Sequence, residues 1–373
     1  MSHADLLSPR FVPNVTAAFL TSLQWEHLLG QSRRALLTAR LAHSFSDSGQ
    51  FAGEVPAGPR RHLEASRITA ELWAQIAKAE VLRIERALRS AGMTCVLLKG
   101  AAYLCAGLPP SRGRVFSDVD ILVPQVELSK AESALLAGGW IPDHLDSEYD
   151  QRYYREWMHE LPPLSHVQRD STIDVHYTIT PPTSAFNVDG ALLLVKARPI
   201  EGHPGLWTLQ PTDMVLHSAV HLFAEGEFHH GLRDLLDMDD LLKHFAVHEP
   251  DFWPELIARA NELGLKVPLH HALFHVERLF GTRPPAELAA EVRALRPPWL
   301  LRVLMARLLT IALRPMHPSC HVPGEGLARW LLYVRSHWLR MPLHLLVPHL
   351  VRKAWMAQFP EKKKPADAET AQV

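Results

Sequence analysis

Two aspartates one residue apart, Asp118 and Asp120, sit inside the apolar run Phe116–Val123, Phe-Ser-Asp-Val-Asp-Ile-Leu-Val. A run this rich in Val, Ile, Leu and Phe has the composition of a buried strand. Side chains alternate faces along a strand, so both carboxylates emerge on one side while Val119, Ile121 and Val123 take the other. Two like charges this close raise each other's pKa and cost stability. A divalent cation would neutralise them, and hard carboxylate oxygens select Mg²⁺ or Mn²⁺. The plainer alternative is a strand end whose aspartates are merely solvated.

A third acid strengthens the pair. Asp174 lies in the β-branched run Thr172–Thr180 and shares its face with His176. If this strand pairs beside the first, three carboxylates meet, an arrangement suited to two-metal phosphoryl transfer. In that scheme Asp118 and Asp120 bridge both ions, and Asp174 completes one shell and accepts the proton of an attacking hydroxyl. Alone, Asp174 would read equally well as a charge that discourages edge pairing. The apolar run Cys95–Leu98 ends at Lys99-Gly100. A strand that turns into a helix at glycine presents backbone N–H groups to an anion. The loop Pro109–Gly113 delivers Arg112 and Arg114, and Lys99 or Arg114 would add a point charge or a bidentate fork for phosphate.

Taken together, Leu97-Leu98-Lys99-Gly100-Ala101, then Arg114-x-x-Ser117-Asp118-Val119-Asp120-Ile121-Leu122-Val123, then Ile173-Asp174-Val175-His176, resemble an uncharacterised bacterial nucleotidyltransferase family of the polymerase-β-like superfamily. The likeness continues through Leu216-His217-x-x-x-His221 and Leu232-Arg233-Asp234-Leu235-Leu236-Asp237, and covers roughly Thr94–Lys243. It implies a small mixed sheet flanked by helices. It also implies transfer of NMP from an NTP to a hydroxyl, with Mg²⁺ or Mn²⁺ held at Asp118, Asp120 and Asp174. Lys99, Gly100, Arg114 and Ser117 would then contact the nucleotide. Ala101 stands where the broader superfamily places a serine, and Gly100 lies farther from the aspartates than is usual there. A catalytically degenerate relative acting as a binding or scaffold module is the alternative, although a scaffold has no reason to keep three clustered charges.

The chain is 373 residues long, 47% hydrophobic and 21% charged, with a formal net charge of -1, so no global field points to nucleic acid. Cys95, Cys105 and Cys320 are scattered without metal-ligand spacing and read as buried thiols. No secretory signal or membrane-spanning run is evident, and a cytoplasmic protein is expected. Three- and four-residue periodicity predicts helices over 28–43, 68–91, 125–136, 213–225, 232–244, 253–263, 268–279 and 286–295. Residues 44–59 read as a loop, and 149–159 and 164–168 as strands or hairpin arms. The expected class is α+β: a helical region over 1–92, a mixed-sheet core over 93–208, a helical half over 209–358 and a tail over 359–373.

Histidine is abundant, at 23 residues. His217 and His221 are spaced i, i+4, but no glutamate follows His217, so the metalloprotease motif is absent. With His176 and Arg233 they read as structural groups or as the wall of a substrate pocket. Arg233 with Asp234 and Asp237 reads as an intrahelical pairing or as part of that wall. Residues 328–355 carry Arg329, Arg335, Arg340, Arg352 and Lys353 among Trp330, Trp338 and Trp355, with no acid. This predicts a helix packed through its tryptophans with snorkelling arginines. The alternative is contact with an anionic membrane surface or an RNA backbone.

Overall fold

The computed structural model describes residues 6–11, 20–142, 158–226 and 228–348. Helix α1 (Ser22–Arg34) opens with a reciprocal cap, in which the backbone N–H of Gln24 donates to Thr21 Oγ1 and that of Thr21 to Gln24 Oε1. The helix expected over 28–43 breaks at 35–37, and α2 (Thr38–Asp47) follows. Leu36 takes a left-handed backbone, φ 55°, at a cost of about 1–2 kcal/mol. The break lets Leu37 and Leu41 bury completely. Helix α3 (Ala57–Ser90) is longer than the 68–91 stretch and starts inside the expected loop. Pro59 does not prevent this, because N–H groups of a first turn have no helical partner to lose. Its buried stripe of Leu63, Ala70, Ala77, Val81, Ile84 and Leu88 lies against α2 and the sheet.

The sheet begins with β1 (Cys95–Leu97), followed by the short helix α4 (Lys99–Cys105), β2 (Asp118–Leu122) and helix α5 (Leu128–Ala137). Then come β3 (Trp140–Pro142), β4 (Leu164–His166), β5 (Thr172–His176), helix α6 (Gly190–Leu194), β6 (Arg198–Pro199) and β7 (Leu206–Thr208). The strand order is β3-β4-β5-β2-β1-β7-β6, a mixed sheet in which β2 runs parallel to β5 and antiparallel to β1. Most of the expected 149–159 arm lies outside the described residues. Strand β5 stops at His176, short of the predicted Thr180. The Thr178 hydroxyl donates to Val188 O and the Thr180 hydroxyl accepts from the Val188 N–H, so these side chains hold a turn rather than a ladder. Strands β6 and β7 are too short to show alternation in the sequence.

The C-terminal half is helical: α7 (Pro211–Glu225), α8 (Gly231–His248), α9 (Phe252–Glu262), α10 (Lys266–Phe280), α11 (Ala289–Ala294), α12 (Trp299–Ala312) and α13 (Glu325–Arg340). Helix α7 packs against α8, α9, α10 and α13. It is tied to α9 by a buried fork, in which Arg259 donates to both carboxylate oxygens of Asp213 at 2.7 and 2.8 Å. A single buried apolar cluster runs from Leu7 through the strands to Leu332. Helix α13 departs from its expected packing. Trp330 and Trp338 are 58% and 63% exposed, whereas Arg335 turns inward and donates to Phe223 O at 2.7 Å. Trp355 lies outside the described residues. Among those residues no helix is long and apolar enough to cross a membrane.

Helix α10 buries His270, His271 and His275, the last two with rings beside Phe223. Burial, aided by nearby arginines, pushes their pKa values down to about 4, 2 and 3. The unfolded chain therefore takes up protons below about pH 6.5 that the folded chain refuses, so these histidines destabilise it as pH falls from 6.5. Each can add a slope of up to about 1.4 kcal/mol per pH unit. Urea unfolding at pH 7 and pH 5 is expected to show a clear loss of stability. The loss shrinks in a His271→Gln/His275→Gln double variant.

Candidate active site

Strand β2 reaches the site because its ladder with β1 continues one step, with Leu98 N–H donating to Asp120 O at 2.9 Å. That step sets Lys99 over the aspartates. Lys99 has a positive φ of 43°, a strained backbone for a side-chain-bearing residue, and its ammonium stands 3.1 Å from Asp120 Oδ1. Asp120 is buried, and its Oδ1 is also 3.0 Å from His176 Nε2. Burial alone would raise its pKa, but Lys99 and His176 outweigh burial and hold the carboxyl well below the usual range.

In the parallel register Asp120 stands beside Asp174, and Asp118 beside Thr172. Register partners in parallel strands point to the same face, so Asp118, Asp120, Asp174 and His176 share one side of the sheet. The carboxylates have separate partners. Asp118 is exposed and accepts from Ser117 Oγ at 2.7 Å. Asp174 is half-buried, and its pKa is pushed up to about 7 by burial first, then by Asp120, Glu160 and Asp118. His176 is pulled down by burial, but Asp120 and Glu160 reverse this and its pKa is raised. On α7, burial first and the Lys99 charge next push both His217 and His221 well below the ordinary imidazole value.

A cavity of about 350 Å³ opens beside this face, within the range of small-molecule sites. Lys99, Gly100, Arg114, Ser117, Asp118, Asp120, His221 and Arg233 all contribute to its wall. Asp174, His176 and His217 do not line it; they stand behind or beside Asp120. Arg112 is elsewhere, forking onto Asp47 at 2.6 and 2.9 Å. Arg114 pairs with buried Asp237, and its pKa is lowered to about 10 by burial and then by Arg233. Gly100 passes directly beneath it: a Cβ there would stand 3.0 Å from Arg114 Nε. Arg233 forks onto its neighbour Asp234 at 2.7–2.9 Å.

A family model described as uncharacterised nucleotidyltransferase matches residues 21–281, more than half of the chain. The chain belongs to this family. No curated protein and no solved structure matches it. The family region takes in α1–α10 and the whole sheet, so the nucleotidyltransferase match covers the aspartate face and every wall of the cavity.

The donor set fits a hard divalent cation. Three carboxylates share one face, and burial first, then Asp120, Glu160 and Asp118, raises the pKa of Asp174. Among the described residues, the three-residue set with donor atoms all within 4.8 Å of one another is a different one, His159, Glu160 and His176. Sequence reasoning gave no functional role to His159, at the end of the expected 149–159 arm, or to Glu160 just beyond it. It also missed Arg40 of α2, which pairs with Asp237 and Asp240 across nearly 200 residues of chain, and Tyr103, bonded to Ser218 at 2.7 Å. Such long-range partners leave no local signal.

Asp237 pairs with two part-buried arginines, so its removal leaves Arg114 without its partner and Arg40 with Asp240 alone. An Asp237→Ala variant is expected to lose about 3–5 kcal/mol in chemical denaturation. Arg233→Ala, on the partly exposed neighbouring turn, should lose well under half of that.

Proposed function

We propose that this chain transfers NMP from an NTP to a hydroxyl of an acceptor molecule, releasing pyrophosphate. The observation that carries this reading is the in-register pairing of Asp120 with Asp174, which sets three carboxylates on one face beside a cavity whose wall includes Lys99, Arg114 and Arg233. Asp118, Asp120 and Asp174 are the donors for Mg²⁺ or Mn²⁺, which when bound neutralises the triphosphate and acidifies the attacking hydroxyl.

The protein's own groups do the rest. Lys99, Arg114 and Arg233 offer positive charge to the phosphates from the cavity wall, and Gly100 leaves room for Arg114. Ser117 holds the Asp118 carboxylate by its hydroxyl, and His176 holds that of Asp120. Asp174 accepts the proton of the acceptor hydroxyl. Tyr103 and Phe116 supply aromatic surface in the wall, suited to a base or sugar. Exposed Trp330 and Trp338 beside Arg329 and Arg340 suit a peripheral contact with an anionic surface.

Incubation with each α-labelled NTP, Mg²⁺ or Mn²⁺ and a cell lysate is expected to move label into a protein, RNA or metabolite fraction. Chelation with EDTA abolishes that transfer. Asp118→Asn and Asp120→Asn should each lower it by about 10³-fold or more while the fold is kept. Undiminished labelling by these variants identifies the degenerate binding module instead.

A further inference from the structure

Beside the aspartates lies a second constellation, of which the nucleotidyl-transfer site uses His176 alone, as the partner of Asp120. His159, Glu160 and His176 bring a nitrogen or carboxylate oxygen each to within 4.8 Å of one another. Both histidines are deeply buried, at 7% and 2% exposure, with ring centroids 5.2 Å apart. The Nδ1 atom of His159 has no hydrogen-bond partner, and that of His176 faces Glu160 Oε2. A buried ring nitrogen without a protein partner is uncommon in a native structure and asks for a ligand.

We infer that His159, Glu160 and His176 form a binding site for a transition-metal ion of the zinc class, separate from the Mg²⁺ or Mn²⁺ of the aspartates. Two imidazoles and one carboxylate are a donor set that Zn²⁺ accepts and Mg²⁺ does not favour. A tetrahedral ion with bonds of about 2.0–2.1 Å sets its donors roughly 3.3 Å apart. His176 Nδ1 and Glu160 Oε2 already stand 3.2 Å apart, close to that spacing.

The neighbourhood supplies what ligating histidines ordinarily have. The far nitrogen of His176, Nε2, stands 3.0 Å from Asp120 Oδ1, the carboxylate–histidine–metal arrangement that fixes the ring and its tautomer. An ion on Nδ1 leaves the proton on Nε2, donated to Asp120. His176 then acts as a positioning residue, linking the ion to the aspartate that faces the cavity. Glu160 is held by a backbone bridge to His176, so the two ligands sit on paired segments of chain. The three cysteines lie outside the group, and sulfur has no part in it.

Titration of chelator-treated full-length protein with Co²⁺ is the test, with d–d absorption as the readout. One equivalent is expected to give the intense visible bands of a low-symmetry four- or five-coordinate site, bleached by one equivalent of Zn²⁺. His159→Ala and Glu160→Gln should lose the bands while circular dichroism stays unchanged. Should either variant fail to fold, X-ray absorption on the zinc-loaded wild type decides: two imidazoles with oxygen and no sulfur support the site. Absence of the bands in the wild type, their persistence in both folded variants, or a sulfur shell overturns it. None of these readouts depends on nucleotidyl transfer, so that activity and this site can fail separately.

Discussion

On the face shared by β2 and β5 the carboxylates of Asp120 and Asp174 stand one strand apart, and their parallel pairing leaves them no other direction. Asp118 joins them two residues along. The surroundings compensate only part of this charge. Lys99 and His176 satisfy Asp120, while Asp174 is left with a pKa near 7. Lys99 is held in place by a left-handed backbone at the exact point where β1 becomes α4, so strain and charge meet in one residue.

The cavity wall is built from segments distant in sequence. Arg114 from the loop before β2 and Arg40 from α2 both converge on Asp237 of α8, so one buried carboxylate joins the N-terminal helices, the sheet and the helical half. Removal of one member of such a network exposes the others to an unpaired buried charge, which makes the wall cooperative. Helix α7 closes the opposite side. Its His217 and His221, kept uncharged by burial and by Lys99, add no positive charge of their own.

Much of this was legible from local patterns. Alternation in Phe116–Val123 and Thr172–Thr180 placed the aspartates on strands, and the glycine after Lys99 marked the turn. The family resemblance, drawn over Thr94–Lys243, falls within the matched residues 21–281. Other features left no such trace. The break at Leu36 falls in an uninterrupted helical pattern, and β6 is two residues long. Helix α12 is apolar on nearly every side, so it has no periodicity to read. The exposed tryptophans of α13 ran against the packing their size suggests, because Arg335 found a carbonyl inside while they did not. Pairings such as Arg40 with Asp237 depend on the completed fold alone.

The proposed function requires the β2–β5 face to bind a divalent cation together with a nucleoside triphosphate. Electron paramagnetic resonance of Mn²⁺, titrated into the protein with and without a non-hydrolysable NTP analogue, reads this directly. Bound Mn²⁺ that tightens at least tenfold with the analogue, and is lost in an Asp174→Asn/Asp120→Asn variant, is the result expected. Free Mn²⁺ in the presence of wild-type protein and analogue, or binding that survives both substitutions, would contradict it.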